Sequence, residues 1–401
     1  MANSKTNTFL FTFLFIILST TFLNSHANAV TRTYNVMRFG AKPNGATDST
    51  KGFLGAWAAA CADASPSVIY VPKGRFVVGP LVFKGCNSSD IVLRIDGTLV
   101  GLTDYRVFQG YDKWISFEFV SGVTIVGGKL DARGPAFWAC KLAQGGGGCP
   151  AGVTTLSFTN SNNIKITGLL SLNSQMFHIA INGCQNVQIQ GTKVIAKGDS
   201  PNTDGIHVQY SSEVVIRNTT IGTGDDCIAI GPGAKNLLME GIRCGPGHGI
   251  SIGSLGRDVE EPGVQNVTVK KSVFIGTQNG LRIKTWAKPS NGFVQGIQYR
   301  DIIMRNVQNP IVIDQNYCPS NIDCPTQVSG IKISDVVYQG IRGTSATPVA
   351  IKFDCSPKNP CTGIKLGDVN LKSVNQVEAA RSSCANAKGM AFGPVLPKSC
   401  L

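Results

Sequence analysis

Charged residues are scarce in this 401-residue chain, since Asp, Glu, Lys and Arg together make up only 15% of it. With 42% hydrophobic residues, this composition is typical of a folded chain with a large core and excludes a disordered one. No Gly-X-Y period occurs, which excludes collagen, and no Cys-x-x-Cys pair occurs, which argues against a zinc site.

Acidic residues number 24 against 37 basic ones, and the resulting charge of +13 favours a polyanionic partner: nucleic acid, an anionic membrane or an acidic polysaccharide.

Residues 1–29 have the pattern of a secretory signal peptide. A single charge at Lys5 precedes the apolar run 9–23, and residues 27–29 (Ala-Asn-Ala) form a small-residue cleavage site. The run is shorter than the ~20 residues of a membrane span, and no later segment approaches that length. We therefore predict a secreted protein that does not insert into a membrane, with residues 30–401 as one domain. Export also argues against nucleic acid as the partner.

Thirteen cysteines are consistent with an oxidising compartment. Spacing alone does not determine their connectivity, but the nearest neighbours suggest six pairs: Cys61/Cys86, Cys140/Cys149, Cys227/Cys244, Cys318/Cys324, Cys355/Cys361 and Cys384/Cys400. Cys184 is left over in an apolar stretch, where we expect a buried free thiol. Three Asn-x-Ser/Thr sequons, at Asn87, Asn218 and Asn266, permit N-glycosylation.

Glycine is abundant, at 46 residues, and short strands recur between the glycines from about residue 155. One alternating apolar unit begins at Asn163, Asn186, Glu213, Asn236 and Asn266, with spacings of 23, 27, 23 and 30 residues. A second family of strands lies between these units. Such repeats predict an all-β fold, a single-stranded right-handed parallel β-helix, whereas the repeats of a β-propeller are longer, at ~40 residues. An Ala-rich segment within residues 40–64 predicts a short helix that caps the N-terminal end of the solenoid.

Polar residues precede the second family of strands at equivalent positions. When the apolar residues of successive coils are aligned as interior ladders, Asp204, Asp226 and His248 fall in one column, with Asp225 one residue before it. Strict alternation would turn this column inward, so we expect the chain to bend where the strands begin, at Gly205, Cys227, Gly249 and Gly280.

Arg282 and Lys284 alternate with apolar residues in the next coil and are therefore predicted to point outward as a cationic shelf. Alternation along the strand also predicts that His207 faces outward, but it lies one strand step away from the column. His178 is expected to serve in packing.

Three carboxylates this close together raise one another's pKa, so that one can act as an acid while another remains a base. An acid and a base across a short gap meet the requirement for glycoside hydrolysis, and a cationic shelf suits a sugar that carries a carboxylate. An ordinary Asp-rich turn or a calcium site at Asp225 and Asp226 is the alternative. Arg282 and Lys284, one coil away, disfavour a second cation there.

Four short motifs make the pattern specific. Asn202-Thr203-Asp204, Gly224-Asp225-Asp226, Gly247-His248-Gly249 and Arg282-Ile283-Lys284 resemble, in order and spacing, the four motifs of the polygalacturonases, glycoside hydrolase family 28. Tyr317 matches the downstream tyrosine that contacts substrate in that family. The resemblance covers essentially the whole mature chain, and it is greatest to plant enzymes of the exo-acting pollen type.

The resemblance implies a pectin-lyase-like solenoid and inverting hydrolysis of α-1,4 bonds in de-esterified homogalacturonan, in the cell wall. Asp225 would be the general acid, Asp204 and Asp226 would hold and deprotonate water, and His248 would tune the acid. The implied substrate-binding residues are Arg282, Lys284, Tyr317 and Asn202. No metal or cofactor is expected, and we expect a monomer whose partner is polygalacturonate.

Alternatives to an exo-acting hydrolase remain at this point. They are an endo-polygalacturonase, a rhamnogalacturonan hydrolase, a pectin lyase and a wall-binding protein without catalysis. The complete set of three aspartates disfavours a protein that only binds, and aspartates with histidine suit attack by water better than elimination.

Overall fold

The computed structural model describes Met1 and residues 31–86, 90–143, 148–319, 322–375 and 378–401. The predicted signal peptide, apart from Met1, and the sequon residue Asn87 lie outside the described residues. Among the helices of the described ranges, none is long and apolar enough to cross a membrane.

The described chain consists mainly of short strands, with two α-helices and two 3-10 helices (Val36–Phe39 and Tyr105–Phe108). The α-helices are α1 (Thr50–Ala62) and α2 (Pro135–Ala143). The strands are β1 (Arg32–Asn35), β2 (Asn44–Asp48), β3 (Ser67–Val71), β4 (Arg75–Val77), β5 (Leu81–Lys84), β6 (Ile91–Val100), β7 (Lys113–Glu118), β8 (Val123–Asp131), β9 (Thr154–Thr159), β10 (Asn162–Thr167), β11 (Leu170–Leu172), β12 (Ile179–Asn182), β13 (Gln185–Gln190), β14 (Lys193–Ile195), β15 (Ile206–Gln209), β16 (Ser212–Arg217), β17 (Thr220–Gly222), β18 (Ile228–Ile230), β19 (Lys235–Glu240), β20 (Arg243–Cys244), β21 (Ile250–Leu255), β22 (Val264–Ile275), β23 (Asn279–Trp286), β24 (Phe293–Val307), β25 (Asn309–Tyr317), β26 (Lys332–Ser345), β27 (Val349–Asp354), β28 (Cys361–Ser373), β29 (Arg381–Ala385) and β30 (Ala387–Leu396).

These strands stack in parallel from one coil to the next. An eleven-stranded sheet runs along one side in the order β5, β7, β9, β12, β15, β18, β21, β23, β25, β27 and β29, and the other strands form a nineteen-stranded sheet. The larger sheet turns a corner, because a long strand such as β22 pairs with both β19 and β20 of the preceding coil. Each coil therefore contributes up to three strand segments, and the predicted parallel β-helix is confirmed.

Apolar side chains from successive coils fill the interior of the solenoid. Ile206 pairs with Ile228, and Ile228 with Ile250, and all three are at most 1% exposed. Stacked side chains of this kind remove their apolar surface from water, at about 25 cal/mol per Å² buried. The interior ladder predicted from the period-2 pattern is therefore present in the register of the strands.

Helix α1 covers the N-terminal end of this core, as the Ala-rich segment predicted. Its Trp57 packs 4.9 Å from the ring of Phe83 and 5.6 Å from that of Phe117, measured between ring centroids. The helix therefore shields apolar rings that the first coils would otherwise expose.

The structure contains all six cysteine pairs suggested by spacing, and Cys184 is free and buried. Helix α2 was not expected from the strand pattern. Its Phe137 and Trp138 are buried in a small cluster apart from the main core, and a disulfide joins Cys140 of this helix to Cys149.

Candidate active site

The predicted column of polar residues lies just before strands β15, β18 and β21. Because these strands pair in register, Asp204, Asp226 and His248 occupy equivalent positions, each two residues before its strand. Three adjacent coils thus bring together residues that are 22 positions apart in the chain.

The backbone turns as these strands begin, which takes the column out of the interior ladder. The chain bends at Gly205 and Cys227, and Gly249 has a φ of +87°, a conformation that glycine adopts without strain. Gly280 lies within β23, so the bend predicted at that residue is wrong. The turn is therefore made at three of the four predicted positions.

Asp226 is the most deeply buried carboxylate of the site, with a side chain only 2% exposed. Its Oδ2 accepts a hydrogen bond from Lys284 Nζ at 2.8 Å, and its Oδ1 accepts from Arg282 Nη2 at 2.9 Å and from Ser251 Oγ at 2.8 Å. Burial alone raises the pKa of Asp226, but the charges of Lys284 and Arg282 outweigh it and lower the pKa to about 2. Asp226 is therefore an anion over the whole physiological range.

Arg282 and Lys284 do point away from the solenoid interior, as alternation predicted. However, their side chains are only 11% and 8% exposed, and both pair with Asp226. The two cations of the predicted shelf are therefore nearly buried and already paired, because the carboxylate of Asp226 lies against both side chains.

Asp204 has the opposite environment. Its Oδ2 lies 3.0 Å from Nδ1 of His207, and no lysine or arginine in the described residues pairs with it. Burial, reinforced by the negative charges of Asp225 and Asp226, raises its pKa to about 6 in spite of His207. The repulsion predicted among the three carboxylates thus contributes to the raised pKa of Asp204, whereas Lys284 and Arg282 lower the pKa of Asp226.

His207 contacts the site through Asp204, although the sequence analysis placed it one strand step away from the polar column. Besides its contact with Asp204, its imidazole stacks on the ring of Phe177, with centroids 4.4 Å apart and ring planes within 9°. Its outward parity on β15 was the available signal. His178, by contrast, is fully buried with Nδ1 2.8 Å from Ser171 Oγ, and burial lowers its pKa to about 3, in line with the packing role expected for it.

Asp225 is the most accessible of the three carboxylates, with its side chain 20% exposed. Its Oδ1 lies 3.0 Å from His248 Nδ1 and accepts the backbone N–H of Asp226 at 2.8 Å. Glycine at 247 permits this close approach, because a Cβ there would lie 2.7 Å from the carbonyl oxygen of Asp225. Asp225 and His248 thus form a pair at the solvent-facing side of the site.

A groove of about 410 Å³ opens over this pair. It is lined by five predicted residues, Asn202, Asp225, His248, Arg282 and Tyr317, and by five that were not predicted, Ser254, Arg257, Gln278, Trp286 and Pro319. Asp204, Asp226 and Lys284 are each at least 94% buried, so they form the base of the site and leave Asp225 and His248 to face a ligand.

Tyr317 forms one wall of the groove. Its ring lies 5.2 Å from Lys284 Nζ and 5.9 Å from Arg282 Cζ, and Trp286 packs against it edge-on with centroids 5.2 Å apart. An aromatic wall beside cations suits a ligand with an apolar face and a negative charge, such as an acidic sugar.

Oxygen and nitrogen atoms of Asp225, Asp226 and His248 lie within 4.8 Å of one another, which is close enough for one cation. Asp226 already accepts from two cationic side chains and a hydroxyl, so a metal ion would have to displace these bonds and approach two positive charges. Calcium also requires six to eight oxygen ligands. The donor set therefore disfavours a metal ion here.

Comparison with known proteins places the chain in a family. Residues 61–399 match the family model described as glycosyl hydrolases family 28. A protein from Prunus persica named "Polygalacturonase" is 60% identical over 95% of this chain and 96% of its own length. An "Exopolygalacturonase" from Platanus acerifolia is 41% identical over 91% of this chain and 96% of its own length.

The chain belongs to glycoside hydrolase family 28. It is thus an enzyme, a glycosidase of the polygalacturonase family, as the four motifs predicted. The crystal structure of a hyperthermoactive exopolygalacturonase from Thermotoga maritima matches with a TM-score of 0.76, covering 90% of this chain and 91% of the other at 20% identity. At that identity the match supports the solenoid fold alone.

Proposed function

We propose that this enzyme hydrolyses the α-1,4 bonds of de-esterified homogalacturonan and acts from the end of the chain. The observation that carries the proposal is a groove whose accessible acid, Asp225, lies above a buried anion clamped by Arg282 and Lys284. Cations and an aromatic wall in the same groove suit a substrate that carries a carboxylate on every sugar.

Asp225 is proposed as the general acid. It gives its proton to the glycosidic oxygen as the bond to the anomeric carbon breaks, and a water attacks that carbon and passes a proton to Asp204 or Asp226. His248, 3.0 Å from Asp225, is proposed to orient the acid. Asn202, Tyr317 and the cations of the site are proposed to bind the sugar and its carboxylate.

The raised pKa of Asp204 would by itself favour Asp204 as the acid, since an acid must hold its proton at the working pH. Position argues the other way. Asp204 is 6% exposed and is covered on Oδ2 by His207, whereas Asp225 lines the groove. A general acid must reach the leaving oxygen, so we assign that role to Asp225 and the base role to Asp204, with Asp226 holding the water.

Inversion at the anomeric carbon is part of the proposal, and it faces a distance test. Inverting enzymes commonly separate their two carboxyl groups by about 6.5–9.5 Å. Oxygens of Asp225 and Asp226 lie within 4.8 Å, so this pair is too close by that rule. We therefore propose Asp204, on the adjacent coil, as the base that faces Asp225 across an attacking water. Proton NMR of the first products decides the point, since α-linked substrate gives β-anomers on inversion and α-anomers on retention.

Exo action is supported by relatives named exopolygalacturonase from Platanus acerifolia and Zea mays, while the more similar relative from Prunus persica is named only polygalacturonase. Six disulfides support export to an oxidising compartment, and thus action outside the cell on wall pectin. The monomeric state stays a prediction from sequence.

The test is a timed digestion of de-esterified polygalacturonate by the purified mature enzyme with a chelator present. Reducing ends with galacturonic acid as the sole early product support hydrolysis of this polymer from the chain end, and the anomer that NMR finds tests inversion. A ladder of oligomers overturns the exo mode and leaves the substrate. Unsaturated products or no products overturn hydrolysis of this polymer.

A further inference from the structure

The two cations that the motifs single out have a partner before any substrate arrives. Arg282 and Lys284 lie 2.9 and 2.8 Å from the two oxygens of Asp226, and all three side chains are nearly buried. A substrate carboxylate at this place must share those donors with Asp226. The site therefore has less free positive charge than its sequence suggests.

Arg257 is a cation of the same groove in a different state. It lines the groove beside Arg282 and Tyr317, its side chain is exposed, and it makes no ion pair with any carboxylate in the described residues. Its guanidinium can therefore meet an incoming carboxylate without first giving up a partner. Guanidinium groups bind carboxylates through two parallel hydrogen bonds, which selects for the planar acid.

The loop that carries Arg257 is held by a buried glutamate, which bonds to the loop backbone and does not pair with the guanidinium of Arg257. Glu261 is 8% exposed, and its two oxygens accept the backbone N–H groups of Gly256 at 2.6 Å and Arg257 at 3.1 Å. The amide of Glu261 in turn donates to Asn291 Oδ1 at 3.2 Å. Both carboxylate oxygens of Glu261 thus bond to backbone N–H groups, which fixes the loop between β21 and β22. The side chain of Arg257 remains available to a ligand.

We propose that Arg257 binds the carboxylate of a galacturonate unit in the groove and is a determinant of specificity for acidic chains, in addition to the motif residues. This inference rests on the proposed function, since it assumes a polyuronate substrate. We expect Arg257 to affect substrate binding and not proton transfer, because Asp225 is paired with His248 and Asp204 with His207.

The test compares Arg257→Gln with Arg243→Gln in the full mature enzyme. Both changes remove one exposed positive charge, but Arg243 lies on β20 of the nineteen-stranded sheet, outside the groove. With de-esterified polygalacturonate, Arg257→Gln should raise KM about tenfold at low salt with kcat unchanged, since an ionic hydrogen bond at a partly exposed site is lost. Arg257→Lys should recover part of the loss, and Arg243→Gln should leave KM near the wild-type value.

Equal KM values for the two glutamine variants, or a loss confined to kcat, would overturn the role of Arg257. Calorimetric titration with trigalacturonate in an Asp225→Asn background measures binding without turnover, and a Kd unchanged by Arg257→Gln would also overturn it. Failure of the wild-type enzyme to hydrolyse polygalacturonate contradicts the proposed function instead, so the two failures are distinguishable. Thermal unfolding of each variant checks that the loop remains folded.

Discussion

Lys284 Nζ lies 2.8 Å from Asp226 Oδ2, and both side chains are more than nine-tenths buried. The two residues are 58 positions apart, on coils that are separated by strand β21. A carboxylate at this depth is tolerated only when its charge is compensated. Lys284 therefore compensates the buried charge of Asp226, and the pair keeps an anion beneath the reacting groups.

Lys284→Met should lower the free energy of unfolding by about 3 kcal/mol, because Asp226 keeps its buried charge and loses one of its two cations. Lys271→Met is the matched control. It breaks a pair with Glu240 in which the lysine side chain is 64% exposed, and it should cost less than about 1 kcal/mol.

Urea denaturation of both variants measures this difference, and adding Asp226→Asn to Lys284→Met should return part of the lost stability. Equal losses in the two lysine variants would contradict the account of Asp226 as a buried charge that depends on Lys284.

Asp225→Asn should reduce kcat by roughly 10²–10⁴-fold with little change in KM, because the amide cannot give a proton to the leaving oxygen. Asp112→Asn, at an aspartate whose side chain is 85% exposed, is the control and should retain full activity. Steady-state kinetics on polygalacturonate provide the measurement. A rate near the wild-type value in Asp225→Asn would remove this residue from the acid role.

Asp204 should make stability depend on pH in a defined window. Its folded-state pKa of about 6 lies above the ordinary value of 3.8, so the folded state holds this proton more tightly than the unfolded chain does. The stabilisation is therefore complete below about pH 4 and is lost as the pH rises through about 6. Asp226, whose pKa is lowered to about 2, contributes stability that is lost only as the pH falls towards that value.

The difference in melting temperature between wild type and Asp204→Asn should accordingly shift against the wild type as the pH rises from about 4 to about 7. A constant difference would argue against the raised pKa.

A pH profile of kcat/KM tests the role of Asp204 in catalysis. The value of kcat/KM should rise through about pH 6 if Asp204 is the base, and it should fall if Asp204 is the acid.

Salt should weaken binding of a polyanionic chain. The full sequence carries +13, or +12 without Lys5 of the predicted signal peptide, and such a surplus attracts a polyuronate at long range. KM for polygalacturonate should therefore rise as sodium chloride is added, and kcat should change less. A KM that is independent of salt would show that the net charge plays no part in substrate capture.

Much of the solenoid could be predicted because its physical basis is repetitive. Period-2 alternation identifies the strands, and strands that stack in register must place equivalent residues side by side, so the ladder of Ile206, Ile228 and Ile250 followed from spacing alone. Cysteines close in sequence were joined in the structure, including Cys318 with Cys324 and Cys355 with Cys361. Helix α2 escaped prediction because it interrupts the repeat.

The amino-acid sequence by itself determined the repeating strands, the interior ladder, the polar column and the four motifs, since each depends on local alternation and on a constant register. Only the tertiary structure decided what those polar groups do to one another. It places two cations beside Asp226, whose pKa is lowered, and a histidine beside Asp204, whose pKa is raised. It also brought Arg257 and Trp286 to the groove. Side-chain direction at a bend, and contact between distant coils, follow no sequence period and are settled only when the whole solenoid is packed.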